Sequence, residues 1–166
     1  MYRKVVDFLT DYHEEVVEAQ KNWDKLTDES LNTSPGNGFW SIREHLWHIA
    51  SIWQYVFVKD LNLWPADDFL DHTPSSARSL AGFYGHQADK AVHWIEQNWT
   101  DDDLSGEIEI WGMQMPRGKL LWEIVKHEAH HRGQIFVLMR FAELPVHGIY
   151  GPSKDEVMQM SQQVAT

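Results

Sequence analysis

Leu120-Leu121-Trp122-Glu123-Ile124-Val125-Lys126-His127-Glu128-Ala129-His130-His131-Arg132-Gly133-Gln134-Ile135 is the stretch that decides the fold class. Counted at 3.6 residues per turn, Leu120, Ile124, His127, His131, Ile135, Leu138 and Ala142 fall on one stripe, so the spacing predicts a long amphipathic helix from near Gly118 to just before Pro145. His127 and His131 stand one above the other on its inward face. Burying two imidazoles is unfavourable unless their nitrogens find partners. One metal ion can partner both, since neutral histidine is the commonest side-chain metal ligand. The plainer alternative is a pair of core histidines hydrogen-bonded to backbone or carboxylate.

Three further helices are expected upstream. Val5, Leu9, Tyr12, Val16, Ala19, Trp23 and Leu26 keep a three-four spacing, which gives a first helix ending near Thr27. Asn32 to Gly38 is a loop by composition. Ser41-Ile42-Arg43-Glu44 has the form of a capping box and opens a second helix, with Ile42, Leu46, Ile49, Trp53 and Val56 inward. Asn62 to His72 reads as a connection. Thr73-Pro74 suggests a cap and first-turn proline for a third helix reaching about Trp99, burying Leu80, Phe83, Ala91 and Ile95. Gly82 and Gly85 inside it each cost about 1 kcal/mol against alanine. Such glycines either let a helix approach closely or leave room for a ligand. Glu107-Ile108-Glu109-Ile110 alternates like a strand, and Gly112 to Pro116 either turns it into a small hairpin or stays extended before the last long helix. The tail from His147 is irregular, with a short helix from Ser153. The whole chain, 1–166, is expected to be one all-α domain, an antiparallel four-helix bundle.

Composition narrows the function classes. The 166 residues are 43% hydrophobic and 23% charged, with a formal net charge of −11 and scattered arginines, so a nucleic-acid partner is not expected. Nine tryptophans belong either to the core or to a pocket wall. There is no cysteine, hence no disulfide, no thiolate ligand and no internal thiol nucleophile. No apolar leader core follows Met1, and no apolar run approaches the roughly 20 residues of a membrane span. The expectation is a soluble, cytoplasmic protein without a membrane partner.

Catalytic metal sites usually take three protein ligands. His45 and His48 on the second helix both offer a third imidazole, and spacing alone does not choose between them. The stretch Phe39 to Ile49 resembles the W-S-x-x-E-x-x-x-H-[LI] segment of the DinB-like (YfiT-type) family, and His127 to Gln134 resembles its H-x-x-x-H-R-G-Q segment. Ile149-Tyr150-Gly151 also fits, and the likeness spans nearly the whole chain. The resemblance implies an antiparallel four-helix bundle with a metal, commonly zinc or nickel, on His48, His127 and His131. It also implies a homodimer. Relatives include hydrolase-like proteins and enzymes that transfer or isomerise adducts of low-molecular-weight thiols, so the family does not fix a reaction. On the same resemblance, His45 and His130 fall outside the ligand set.

Around that site, Gln134 lies one turn beyond His131 and is placed to orient a ligand or a water. Glu44, one turn before His48, either receives that ring's second proton or serves only the helix cap. Arg132 is expected to pair with a carboxylate, and His147 to lie near a pocket mouth. His127-Glu128-x-x-His131 also fits the H-E-x-x-H pattern of zinc peptidases, in which Glu128 would be the base and a distant carboxylate such as Glu156 the third ligand. Against this, Gln134 and Val137 stand where the longer metzincin pattern needs glycine and histidine. By helical angle Glu128 sits at the stripe's edge, facing either the site or a solvent-exposed seam. The leading expectation is a divalent-metal-dependent enzyme acting on a small molecule, as a hydrolase or as a transferase using an exogenous low-molecular-weight thiol. A non-catalytic metal-binding stress-response module is the alternative.

Overall fold

The computed structural model describes residues 1–164. Six α-helices and one hairpin follow in order: α1 (Val5–Trp23), α2 (Ile42–Ala50), α3 (Ile52–Gln54), α4 (Ala77–Asn98), β1 (Glu107–Ile110), β2 (Met113–Pro116), α5 (Arg117–Phe141) and α6 (Lys154–Val164). Helix α2 packs on both α4 and α5, and α1 packs on the same two, so the four long helices form a ring in the order α1, α4, α2, α5. The expected antiparallel four-helix bundle is the observed fold. Its core has two parts. Phe8, Tyr12, Trp53, Phe57 and Trp99 cluster with Leu120 and Ile124. Trp23, Leu46, Ile49, Leu80 and Tyr84 gather around Ile135 and Met139. Every inward position named on the last helix except His127 and Ala142 is buried. Each buried leucine or isoleucine there contributes roughly 1.5–3 kcal/mol.

Three boundaries differ from expectation. Helix α1 stops at Trp23 rather than near Thr27, where Lys25 N and Leu26 N turn back to Asn22 O and Trp23 O at 3.1 Å each. The second helix does not run uniformly to Val56. Ser51 Oγ donates back to Trp47 O at 2.7 Å, a bond that loosens the helical ladder. Beyond α3 the chain widens into a π-helical turn over Tyr55–Asp60, closed by Leu61 N to Val56 O at 2.9 Å. Helix α4 starts at Ala77 rather than at Thr73-Pro74, because Ser76 and Ser79 cap it reciprocally. Arg43 meanwhile binds the carbonyls of Pro74 and Ser75 at 2.8 and 2.9 Å and holds that segment out of the helix. The glycines of α4 fit neither expectation. A methyl group at Gly82 would meet open space, and one at Gly85 only Gln20 Oε1 at 3.5 Å. Phe83 is only half-buried, and stacks on Trp47 with ring centroids 5.3 Å apart.

The hairpin before α5 is present, with Ile108 opposite Met115 and Ile110 opposite Met113. Its two-residue loop, Trp111-Gly112, has φ of 53° and 71°, the positive pair of a type I′ turn. Glycine and asparagine accept that geometry, whereas a tryptophan there is strained by about 1–2 kcal/mol. No helix among the described residues is long and apolar enough to cross a membrane.

Candidate metal centre

The site is built between α2 and α5. At the start of α2, Ser41 N donates to Glu44 Oε2 at 2.7 Å and Glu44 N donates to Ser41 Oγ at 3.3 Å. This capping box sets the rotation of the helix and so the direction of His45 and His48. Glu44 is occupied there, its acidity strengthened by the Ser41 backbone amide and hydroxyl. Among the described residues it makes no hydrogen bond to His48, so the capping alternative holds. From α5, His127 and His131 turn toward α2. One ligand nitrogen each from His48, His127 and His131 lies within 4.8 Å of the others, a group that could hold a metal ion.

Neighbouring rings fix this cluster. His127 Nε2 and His48 Nε2 are 2.8 Å apart. His131 Nδ1 meets His45 Nδ1 at 3.1 Å. The indole of Trp40 stacks on His131 at 5.8 Å between centroids, with 21° between planes, and its edge meets His45 and His48. Burial lowers the pKa of His45, His48 and His127, and burial together with the surrounding imidazoles lowers that of His131 to about 4. All four rings are therefore neutral at pH 7, the state in which imidazole donates a lone pair to a metal.

His48 and His127 also form the inner end of a cavity of about 950 Å³. Its walls come from three elements: Trp47, Ile52 and Tyr55 on the α2 side, Ile124 on α5, and Trp111, Met113 and Met115 on the hairpin. A volume of this size takes a drug-sized molecule.

The remaining candidates are placed as follows. Gln134 is exposed and makes no hydrogen bond among the described residues. Arg132 is buried and paired with Glu15, as expected, and also donates to Tyr150 Oη at 2.7 Å. His147 does not line the cavity. It is held between Glu18 and Glu156 at 2.6 Å each, which engages Glu156 far from the three histidines. Glu128 faces neither the site nor a solvent seam. It is fully buried inside the bundle, turned toward α1 and α4, where Tyr12 and Tyr84 donate to its two oxygens at 2.7 and 2.9 Å. The zinc-peptidase geometry, with Glu128 beside the metal, is thereby corrected.

The comparisons with known proteins agree with this architecture. Residues 1–163 match the DinB family. The chain belongs to the DinB family. Within it, the chain is similar to YrdA of Bacillus subtilis, 40% identical over 159 residues that cover 94% of this chain and 93% of that protein. A DinB-like protein of Bacillus cereus has a similar crystal structure, with TM-score 0.81 and 32% identity over 89% of this chain and 99% of its own. A second one, YjoA of Bacillus subtilis, shares the fold at TM-score 0.65 and 20% identity, over 84% of this chain and 96% of its own.

In this DinB-family chain, sequence reasoning missed how close His45 comes to His131 and how the hairpin closes the cavity. His45 carried a signal, since it precedes His48 by three residues and shares its side of α2. The hairpin wall carried none, because its contact with the π-helical turn is a matter of tertiary packing.

Proposed function

We propose that this DinB-family protein is a metal-dependent enzyme acting on a small organic molecule. The observation that carries the proposal is the convergence of three neutral imidazoles, two of which, His48 and His127, line a largely apolar cavity. His48, His127 and His131 hold the metal, zinc or nickel by the chemistry of an all-nitrogen donor set. Bound there, the metal supplies Lewis acidity, lowering the pKa of an incoming water or thiol and polarising an electrophile. His45 is the positioning residue. Its contact with His131 Nδ1 engages one nitrogen of that ring, and with His131 as the donor there Nε2 is left for the metal. Trp40 covers the cluster and keeps its surroundings dry.

Two reactions suit this arrangement, hydrolysis and transfer to a thiol. With no cysteine in the chain, the thiol comes from solution, as a low-molecular-weight compound that enters the cavity with its electrophile. A metal that only pinned the bundle would need no opening, whereas His48 and His127 face the cavity directly. Exposed Phe39, Val137 and Phe141 support assembly as a homodimer.

Elemental analysis of purified protein tests the site. Close to one equivalent of metal is expected, lost in His48→Ala, His127→Ala and His131→Ala and kept in His93→Ala, whose exposed ring meets Gln97. Full metal content in any of the first three removes that residue from the site. Screens of metal-loaded and chelated protein, against ester and amide hydrolysis and against thiol-plus-electrophile pairs, then separate the two reactions.

A further inference from the structure

The turn residue Trp111 is hard to account for by folding alone. A type I′ turn favours asparagine or glycine at its first central position, and here the chain places its bulkiest side chain there, at φ 53°. The ring is not in the core, being about half exposed at 49%. It reaches instead across the cavity mouth, where its indole Nε1 donates to Asp60 Oδ2 at 3.2 Å. Asp60 ends the π-helical turn, itself a departure from regular helix of the kind found most often beside functional sites. Two local irregularities, one on each wall, thus meet at the outer end of the cavity whose inner end is the histidine cluster. Backbone strain kept at a half-exposed ring, with no core packing to repay it, marks a binding role.

We propose that Trp111 determines specificity, closing the cavity over an apolar, ring-bearing body of the substrate while its reactive end lies at the histidines. This rests on the cavity being the substrate site of the proposed enzyme. The wall chemistry supports rings rather than a polar chain. Trp47 and Tyr55 face Met113 and Met115 across the space, which gives aromatic planes on one side and polarisable thioethers on the other. Of the acids on the wall, Glu44, Asp60 and Glu123 are each already engaged, with the α2 cap, the Trp111 indole and Lys126, and Lys119 is exposed at the rim. The length fits as well. Lys119, Glu123 and His127 succeed one another at four-residue steps along α5, so about 12 Å of helix separates the histidine end from the outer rim.

The test uses N-phenyl-1-naphthylamine, an uncharged two-ring-system probe that fluoresces in apolar cavities, titrated into full-length protein both zinc-loaded and metal-free. Saturable binding at micromolar probe is expected in both forms. Trp111→Asn should weaken it at least about tenfold, the loss of one aromatic wall. Because Asn-Gly suits the turn, the same variant should keep its metal content and melt no lower than the wild type. Trp111→Phe, which keeps a ring in place, should bind the probe within about threefold of wild type. The inference is overturned if the wild type shows no saturable binding, if Trp111→Asn binds like the wild type, or if Trp111→Phe loses as much as Trp111→Asn. It is also overturned if Trp111→Asn melts more than about 3 °C lower, since the indole is then structural. Failure of the metal reading appears separately, as absence of metal in the unmutated protein, and leaves the probe titration intact.

Discussion

Replacing Tyr12 by phenylalanine should destabilise the bundle far more than one lost hydroxyl suggests. That hydroxyl donates to Glu128 Oε1 at 2.7 Å and accepts from Trp53 Nε1 at 2.6 Å. Tyr12, Trp53 and Glu128 are all at or below 1% exposure, so no water replaces either bond. Tyr12→Phe strands two buried polar groups at about 1–3 kcal/mol each, and a total near 2–6 kcal/mol lowers Tm by roughly 4–24 °C in a domain of this size. Tyr84→Phe removes a single bond, the 2.9 Å donation to Glu128 Oε2, so its loss is about half as large. The double variant should fall short of the sum, because both hydroxyls serve one carboxylate. Urea unfolding followed by circular dichroism gives the three free energies, and metal content serves as a control that should not move, since no residue of this network lines the cavity or bonds to the three histidines. Equal losses in the two single variants, or metal loss in either, would refute the argument.

Other outcomes follow from the same geometry. Burial, opposed by Arg132 and the two tyrosine hydroxyls, pushes the Glu128 pKa up to about 7 from 4.5. The folded state thus keeps this proton longer than the unfolded chain, so Glu128 makes stability decline as pH rises from about 4.5 to about 7. Glu128→Gln should flatten that slope in pH-dependent melting and retain the metal. Metal binding should hold from pH 8 to below 6 and weaken as pH falls toward about 4, where protons compete for imidazoles whose pKa burial has lowered, and a profile flat from pH 8 down through pH 4 speaks against an all-histidine site. Light scattering should give twice the 19.5 kDa chain mass, and a monomer across working concentrations removes the dimer.

Periodicity made α1, α2, α4 and α5 legible, because each must bury one apolar face. The Ser41–Glu44 box was legible because it is local. What escaped depended on partners distant in sequence. The π-helical turn after Gln54 follows no residue spacing, and its connection is pinned by Gln54 bonding Leu70 twice, at 2.9 Å each. The start of α4 was drawn too early because Arg43 holds Pro74 and Ser75 from another helix. Periodicity places Glu128 beside the histidine stripe of α5 but does not say what it faces. Its surroundings were not available, since only the fold shows that α1 and α4 bring two tyrosine hydroxyls to that side.

The three histidines come from two segments, and His48 precedes His127 by 79 residues. At synthesis rates of about 5–20 residues per second, His48 leaves the ribosome some 4–16 s before the pair on α5 exists. A lone imidazole holds a divalent ion too weakly to keep it over that interval. On the proposed metal reading, loading belongs to the finished chain, and the metal acquired would report the ions available to the completed protein, not those present at the ribosome.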